Sequence, residues 1–298
     1  MSQIGGFEQI AREIGKQLGG DCSLEPDYGV SGGKIHRSYR WECDDKLLFV
    51  KVAGPAGAAG LEAEFTGLLA LAGAQAVRVP RVLARGNVGP TAFLALEWIE
   101  SRPSGRAAER RLGELLAAQH RVTATQFGFA SDNFIGPTPQ PNGCLSDWAE
   151  FFRDRRLRPQ LALAAQNGFA ELLEQPGARL LESVAALLEG HRPEASLLHG
   201  DLWSGNWLAD EHEEPVIFDP AVYYGDREAD LAMTRLFGGF GRAFYDAYLG
   251  AAPLPAGHAE RAELYNLYHL LNHANLFGGG YASQARKSID RLLAEVRG

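Results

Sequence analysis

Asp201, Asn206 and Asp219 stand in an order that suits phosphoryl transfer. They belong to Leu197-Leu198-His199-Gly200-Asp201-Leu202-Trp203-Ser204-Gly205-Asn206-Trp207-Leu208 and Pro215-Val216-Ile217-Phe218-Asp219-Pro220, where apolar runs bracket a polar loop and a further run ends in a carboxylate. Moving a phosphoryl group needs a carboxylate to orient and deprotonate the acceptor hydroxyl, plus oxygen ligands for the Mg²⁺ that screens the phosphates. Asp201 and Asn206 stand in a D-x-x-x-x-N spacing suited to that task, and Asp219 sits where a metal-binding carboxylate should follow, so the three groups can converge on one nucleotide. Asp, Asn and Gly singly are ordinary loop residues that cap turns. The ordered combination carries the reading. His199 is read as a structural hydrogen-bonder outside the catalytic set.

The same chemistry needs a lysine on the phosphates and an acidic partner to hold it. Lys51 ends the strand-like Leu47-Leu48-Phe49-Val50-Lys51, and Glu64 on the following helix is placed to reach it, whereas Glu62 points elsewhere. Upstream, Gly29-Val30-Ser31-Gly32-Gly33-Lys34-Ile35 lets the main chain approach phosphates, with Gly32 and Gly33 the expected contacts; a plain hairpin turn fits the same residues. It is not a Walker A loop, because Ile35 stands where Ser or Thr would bind magnesium. The backbone of Glu97, Trp98 and Ile99 is expected along the adenine edge, a role that a buried strand also satisfies. Ser204 lies outside any G-x-S-x-G, which argues against a serine hydrolase, and HExxH is absent.

These groups need a strand-rich frame followed by helices. Arg37 to Glu42 and Leu47 to Val52 flank the turn Cys43-Asp44-Asp45-Lys46 and predict a hairpin. Ala58 to Ala72 places Leu61, Phe65, Leu68, Leu69 and Ala72 on one helical stripe, with Glu62 and Glu64 off it. Arg81 to Arg85 and Thr91 to Ile99 predict two more strands around the turn Gly86 to Pro90. Beyond Ser101-Arg102-Pro103-Ser104-Gly105, a candidate hinge, helical patterns cover 107–121, 145–165, 177–189, 229–237 and much of 258–297. Phe127 to Gly143 lacks periodicity and is expected to be an ordered loop. The division is residues 1–100 for the nucleotide-binding sheet and helix, and 101–298 for the catalytic loop, metal and acceptor site.

The formal net charge of −8 would repel a phosphate backbone, which sets nucleic acid aside as a partner. No run approaches the roughly 20 apolar residues of a spanning helix, and the amphipathic start lacks a signal peptide's apolar core. Cys22, Cys43 and Cys144 are odd in number and far apart, so free thiols in a cytoplasmic protein, with no membrane partner, are expected.

Assembled, these residues resemble the fructosamine kinase (ketosamine-3-kinase) family, near the aminoglycoside and choline kinases. The resemblance covers nearly the whole chain and rests most specifically on HGDLWSGN at 199–206 and DPAVYYGDREAD at 219–230. Supporting it are Gly32-Gly33-Lys34-Ile35-His36, Phe49-Val50-Lys51, Glu64 with Gly67-Leu68, Asp132-Asn133-Phe134-Ile135-Gly136, Gln140, Asn142, Trp148 and Arg156-Leu157. It implies an α+β, two-lobed protein-kinase-like fold, with an antiparallel N-lobe sheet plus a helix and a larger helical C-lobe. It also implies ATP- and Mg²⁺-dependent phosphorylation of the sugar 3-hydroxyl of ketosamines (fructosamine or ribulosamine adducts), a protein-deglycation repair activity. Asp201 would be the base, Asn206 and Asp219 metal ligands, and Lys51 with Glu64 the nucleotide clamp. Trp203 is either a platform for a sugar or cationic amine or a core tryptophan. His269, Asn272 and His273 share a helix face that either lines the acceptor pocket or is a polar surface. Some members carry a cysteine in the glycine-rich loop where this chain has Lys34, so their redox control does not transfer. Alternatives are a kinase of another amino-alcohol, of aminoglycoside or choline type, and a catalytically silent nucleotide-binding scaffold. The acceptor would be a small sugar-amine or a glycated protein, and the chain is read as a monomer.

Overall fold

A computed structural model of the chain describes residues 2–30 and 37–296 and, within them, the side chains of all but 2–5 and 24–30. Gly32 and Gly33, expected over the phosphates, lie outside the described residues. The first part is a five-stranded antiparallel sheet between two helices. Its strands are β1 (Cys22–Val30), β2 (Arg37–Cys43), β3 (Lys46–Ala53), β4 (Val82–Val88) and β5 (Thr91–Glu97), in the order β1-β2-β3-β5-β4. The helices are α1 (Ser2–Leu18) and α2 (Pro55–Gly73). Strand alternation sends Leu48, Val50, Phe93 and Ala95 to one face, where Ile10 and Ile14 of α1 cover them. Phe49, Ala53, Leu94 and Leu96 go to the other, against Leu61, Leu68 and Leu71 of α2. Lys51 shares that second face, so the period of two that builds the core also aims the lysine at α2.

The rest of the chain is mainly helical. β6 (Ser101–Arg102) leads into α3 (Arg106–Gln119), β7 (Thr123–Ala124) and the hairpin of β8 (Asn133–Ile135) and β9 (Thr138–Gln140). Next comes a nearly continuous helical run: α4 (Trp148–Phe151), a π-helical stretch, α5 (Arg158–Ala164), a second π stretch and α6 (Ala170–Leu187). Two small sheets follow, β7 and β13 (Tyr223–Gly225) flanking β10 (Ala195–Leu198), and β6 and β12 (Pro215–Ile217) flanking β11 (Trp207–Asp210). The last helices are α7 (Arg227–Leu236), α8 (Arg242–Ala251), α9 (His258–Phe277) and α10 (Gly279–Glu295). An aromatic core of Trp148, Phe151, Phe152, Tyr265 and Tyr268 joins the long helices. α3 lies close on α8 because a Cβ at Gly113 would come within 2.3 Å of the Phe244 carbonyl oxygen.

Five expectations are corrected. The sheet carries two helices, since α1 covers the face opposite Lys51 and α2. Within α2 the buried face is Leu61, Glu64, Gly67, Leu68 and Leu71, while Leu69 is 52% exposed and Ala72 is also exposed. The segment 101–105 is not a free hinge, because Ser101 and Arg102 pair with Asp210 and Ala209. α8 had no counterpart in the sequence reading. Finally, Cys22 and Cys43 are register partners across β1 and β2 and are joined by a disulfide, leaving Cys144 as a free, exposed thiol. No helix among the described residues is long and apolar enough to cross a membrane.

Candidate active site

A cavity of about 910 Å³ opens between the sheet and the helical part, lined by Lys51, Glu64, Glu97, Trp98, Ile99, Asp201, Trp203, Asn206, Asp219, Asn272 and His273 among others. Lys51 sits at its inner end with Nζ 2.7 and 2.8 Å from the two Glu64 carboxylate oxygens, and it also donates to Asp219 Oδ1. Lys51 and Glu64 side chains are each 8% exposed, whereas Asp219 is 48% exposed. Burial favours a neutral lysine, but the Glu64 and Asp219 charges outweigh it and hold the ammonium above its ordinary range. Burial pushes the Glu64 carboxyl up to about 6 against the pull of Lys51. The helix reaches the lysine because Gly67 lies against the Asp219-Pro220 segment: a Cβ there would be 3.0 Å from Pro220 Cγ.

The loop from His199 to Asn206 is tied down from below. Gly200 has φ +84° and a Cβ on it would fall 2.0 Å from the Ala221 carbonyl oxygen, so only glycine fits. The buried Asp230 carboxylate accepts from the backbone N–H groups of His199 (2.8 Å) and Gly200 (2.9 Å) and lies 3.2 Å from His120 Nε2. His199 Nε2 donates to the Phe218 carbonyl (2.9 Å), and Asp201 N–H donates to His199 Nδ1 (3.3 Å). His199 is thus a neutral strut between the Asp201 and Asp219 segments, and burial lowers its pKa despite nearby carboxylates. Asn206 Nδ2 donates to the Asp201 carbonyl (2.9 Å) and carboxylate (3.3 Å), which leaves its amide oxygen for a cation.

The Asp201 carboxyl is held well above the ordinary carboxylate range. Burial, with the Asp219 and Asp230 charges adding to it, pushes it up to about 7, and the Asn206 hydrogen bond only partly opposes this. A carboxylate poised near neutrality can take a proton from an alcohol as that alcohol attacks. Asn206 and Asp219 offer hard oxygen donors to the same cavity, the donor set that Mg²⁺ prefers.

At the outer end the wall comes from Trp203, Phe134, Gly136 and Pro137 of the β8–β9 hairpin, and Asn272, His273, Leu276 and Phe277 of α9. Trp203 is 39% exposed and folds over Gly205, where a Cβ would strike the indole at 2.3 Å. It is therefore not a core tryptophan. His273 Nδ1 donates to the His269 carbonyl (2.9 Å), and burial lowers its pKa. Asn272 accepts from Gln160 Nε2 (3.2 Å). His269 is corrected: it lies one turn deeper, 4% exposed and outside the cavity wall, with burial pulling its pKa down to about 3. On the sheet side of the wall the Trp98 backbone N–H donates to the Leu47 carbonyl (3.2 Å), and the Glu97 side chain pairs with Arg78 and Arg81. Glu97, Trp98 and Ile99 all line the cavity.

Sequence reasoning did not assign Asp230, His120, Gly67 or the hairpin wall. Asp230 stands inside the quoted DPAVYYGDREAD, so its position was visible while its role as anchor of the loop was not.

The sequence profile described as fructosamine kinase matches residues 6–295. A probable ketoamine kinase of Synechocystis is 43% identical over 288 residues, covering 96% of this chain and 97% of that protein. The chloroplastic protein-ribulosamine 3-kinase of Arabidopsis thaliana is 43% identical over 272 residues, 90% of this chain and 82% of its own length. A crystal structure assigned as a fructosamine-3-kinase from Haemophilus somnus superposes with a TM-score of 0.90 at 28% identity, covering 97% and 98% of the two chains. The two-lobed protein-kinase-like architecture extends to aminoglycoside phosphotransferases at 17–18% identity. A sheet-borne lysine clamped to a helix glutamate, facing HGD-x4-N and a strand-end aspartate, thus has both its sequence and its shape in one lineage: the chain belongs to the fructosamine kinase family.

Proposed function

We propose that the chain is an ATP- and Mg²⁺-dependent kinase that phosphorylates the 3-hydroxyl of a ketosamine. The observation that carries the reading is Lys51 held by Glu64 and Asp219 in the cavity that also holds Asp201 and Asn206. Lys51 would bind the nucleotide phosphates, and the backbone of Glu97 and Ile99 the adenine. Asn206 and Asp219 would hold Mg²⁺, which, when bound, neutralises charge on the phosphates. Asp201 accepts the hydroxyl proton as the acceptor oxygen attacks the γ-phosphorus and ADP leaves. The amine of a ketosamine is a secondary ammonium, and the Trp203 face suits such a cation. The neutral His273 adds no opposing charge.

We put the lobe boundary at 100/101, with the groups that would hold the nucleotide before it and those that would hold metal and acceptor after it. The acceptor is a sugar-amine, free or on a glycated protein; removal of the phosphorylated adduct makes the activity one of deglycation. We place this activity in the cytoplasm and in a monomer. The Cys22–Cys43 bond is the feature that suits a reducing compartment least.

The test is ADP release from ATP and Mg²⁺ with ribulosamine, fructosamine, aminoglycoside and choline acceptors. Turnover confined to ketosamines is expected. Turnover on aminoglycoside or choline alone would replace the substrate, and none at all would make the chain a nucleotide-binding scaffold.

A further inference from the structure

A fully buried arginine lies behind the active site without a carboxylate partner among the described residues. Arg156 is 0% exposed and stacks on the Tyr223 ring with 3.9 Å between guanidinium carbon and ring centroid. It donates from Nη1 to the Pro141 carbonyl (2.7 Å) and from Nη2 to Asn142 Oδ1 (2.7 Å). An arginine can only donate, so the polarity of every amide after it is determined. Asn142 accepts with its oxygen and must donate with Nδ2, which it does to Asn133 Oδ1 (2.8 Å). Asn133 then donates to the Val222 carbonyl (2.7 Å). Gln140 Nε2 gives one bond to Asn133 Oδ1 (2.7 Å) and one to the Ala221 carbonyl (3.0 Å), while its own oxygen accepts from Tyr268 (2.7 Å). Asn133, Gln140 and Asn142 are at most 5% exposed.

Both terminal carbonyls lie just after Asp219, which adopts φ +54°, a left-handed backbone that is costly for a non-glycine residue. Such a conformation persists only where its surroundings over-determine it. Before Asp219, Phe218 is held by Asn206 and His199; after it, Ala221 N–H donates to the His199 carbonyl (2.8 Å). The relay adds a hold on the Ala221 and Val222 carbonyls beyond it.

We propose that Arg156, Asn142, Asn133 and Gln140 are positioning residues for Asp219, a one-way donor relay that fixes the backbone after the metal-binding aspartate. The inference rests on the reading of Asp219 as a ligand to metal-nucleotide. The β8–β9 hairpin that carries Asn133 and Gln140 also presents Phe134, Gly136 and Pro137 to the acceptor end of the cavity. One rigid unit therefore serves both halves of the site.

The decisive variant is Asn142→Asp. It gives Arg156 an ion-pair partner that offsets the change within the fold, but a carboxylate cannot donate to Asn133 and the relay must reverse, setting oxygen against oxygen at Val222. Calorimetric titration of the folded proteins with Mn²⁺ and ADP should show a 10- to 100-fold weaker affinity, roughly as for lost outer-shell partners of metal ligands. The urea midpoint should be unchanged or higher, and amide exchange over residues 218–223 faster. Gln140→Glu, which removes the donor to Ala221, should give the same loss should Asn142→Asp fail to fold. Leu292→Ala, a cavity in α10, should lower stability and leave the affinity intact. Wild-type affinity in the folded relay variants would overturn the proposal, as would an equal loss in Leu292→Ala. A wild-type protein that binds no Mn²⁺ with ADP would instead remove the reading beneath it.

Discussion

Replacing Asp201 by Asn should make the protein more stable at alkaline pH while it disables transfer. The folded-state pKa of Asp201 is about 7 against 3.8 unperturbed. Because the folded value is raised, the associated stability is fully present below about pH 4 and is lost as pH rises through about 7. Between about pH 5 and pH 8 the cost of keeping this charge in the fold grows by about 3 kcal/mol, at ~1.4 kcal/mol per pKa unit. Asp201 keeps some contact with the cavity solvent, so roughly half to all of that is expected, ~1.5–3 kcal/mol. The amide variant carries no such charge. Urea unfolding with chelator and no nucleotide should therefore show Asp201→Asn gaining on wild type by that amount from pH 5 to pH 8. Its kcat should fall by about 10²–10⁴, the range for loss of a general base, with KM for ATP little changed. A stability difference that does not vary with pH, or one that favours wild type at pH 8, would refute the reasoning about Asp201.

Three further outcomes follow from the site. Lys51→Met breaks a buried ion pair and should cost about 3–5 kcal/mol in urea unfolding at neutral pH. The cost should be smaller at pH 5, where Glu64 can protonate, and Arg should not rescue turnover because its fork does not fit a point-charge site. Gly205→Ala drives Trp203 off the catalytic loop and should raise KM for the acceptor roughly tenfold, the scale of one lost cation–π contact, with KM for ATP unchanged in initial-rate assays. Removing divalent cations with chelator should abolish ADP release. Raising Mg²⁺ should move the acidic limb of the kcat/KM profile to lower pH, because a dication offsets the Asp219 charge that raises Asp201.

Much of this arrangement was legible in the residues because order along the chain is itself geometry here. A lysine at a strand end, a glutamate on the next helix, and a carboxylate after two apolar runs each imply a direction, and the fold brings Lys51, Glu64 and Asp219 into contact. The hairpin at Arg37 to Val52 was legible for the same local reason. What was not legible depended on partners distant in sequence. Helical periodicity placed Leu69 and Ala72 on the core stripe, but a Pro220 side chain against Gly67 and a buried Glu64 set the face that packs. His269 shares a face with Asn272 and His273, yet depth, which spacing does not report, takes it out of the cavity. The pairing of Cys22 with Cys43 depends on the β1–β2 register. Asn133, Gln140 and Asn142 read as loop residues because amides carry no periodicity, and their meaning comes from a cation, Arg156, on another element.

The role proposed for Asp201 is to direct an ATP phosphoryl group to one hydroxyl of a ketosamine. It is tested most directly by incubating the protein with ATP, Mg²⁺ and a synthetic fructosamine, and locating the new phosphate by two-dimensional ³¹P–¹H NMR. A phosphate ester on O3, absent with Asp201→Asn, is the expected result. A phosphate on another oxygen, or an undiminished O3 product from the variant, would contradict it.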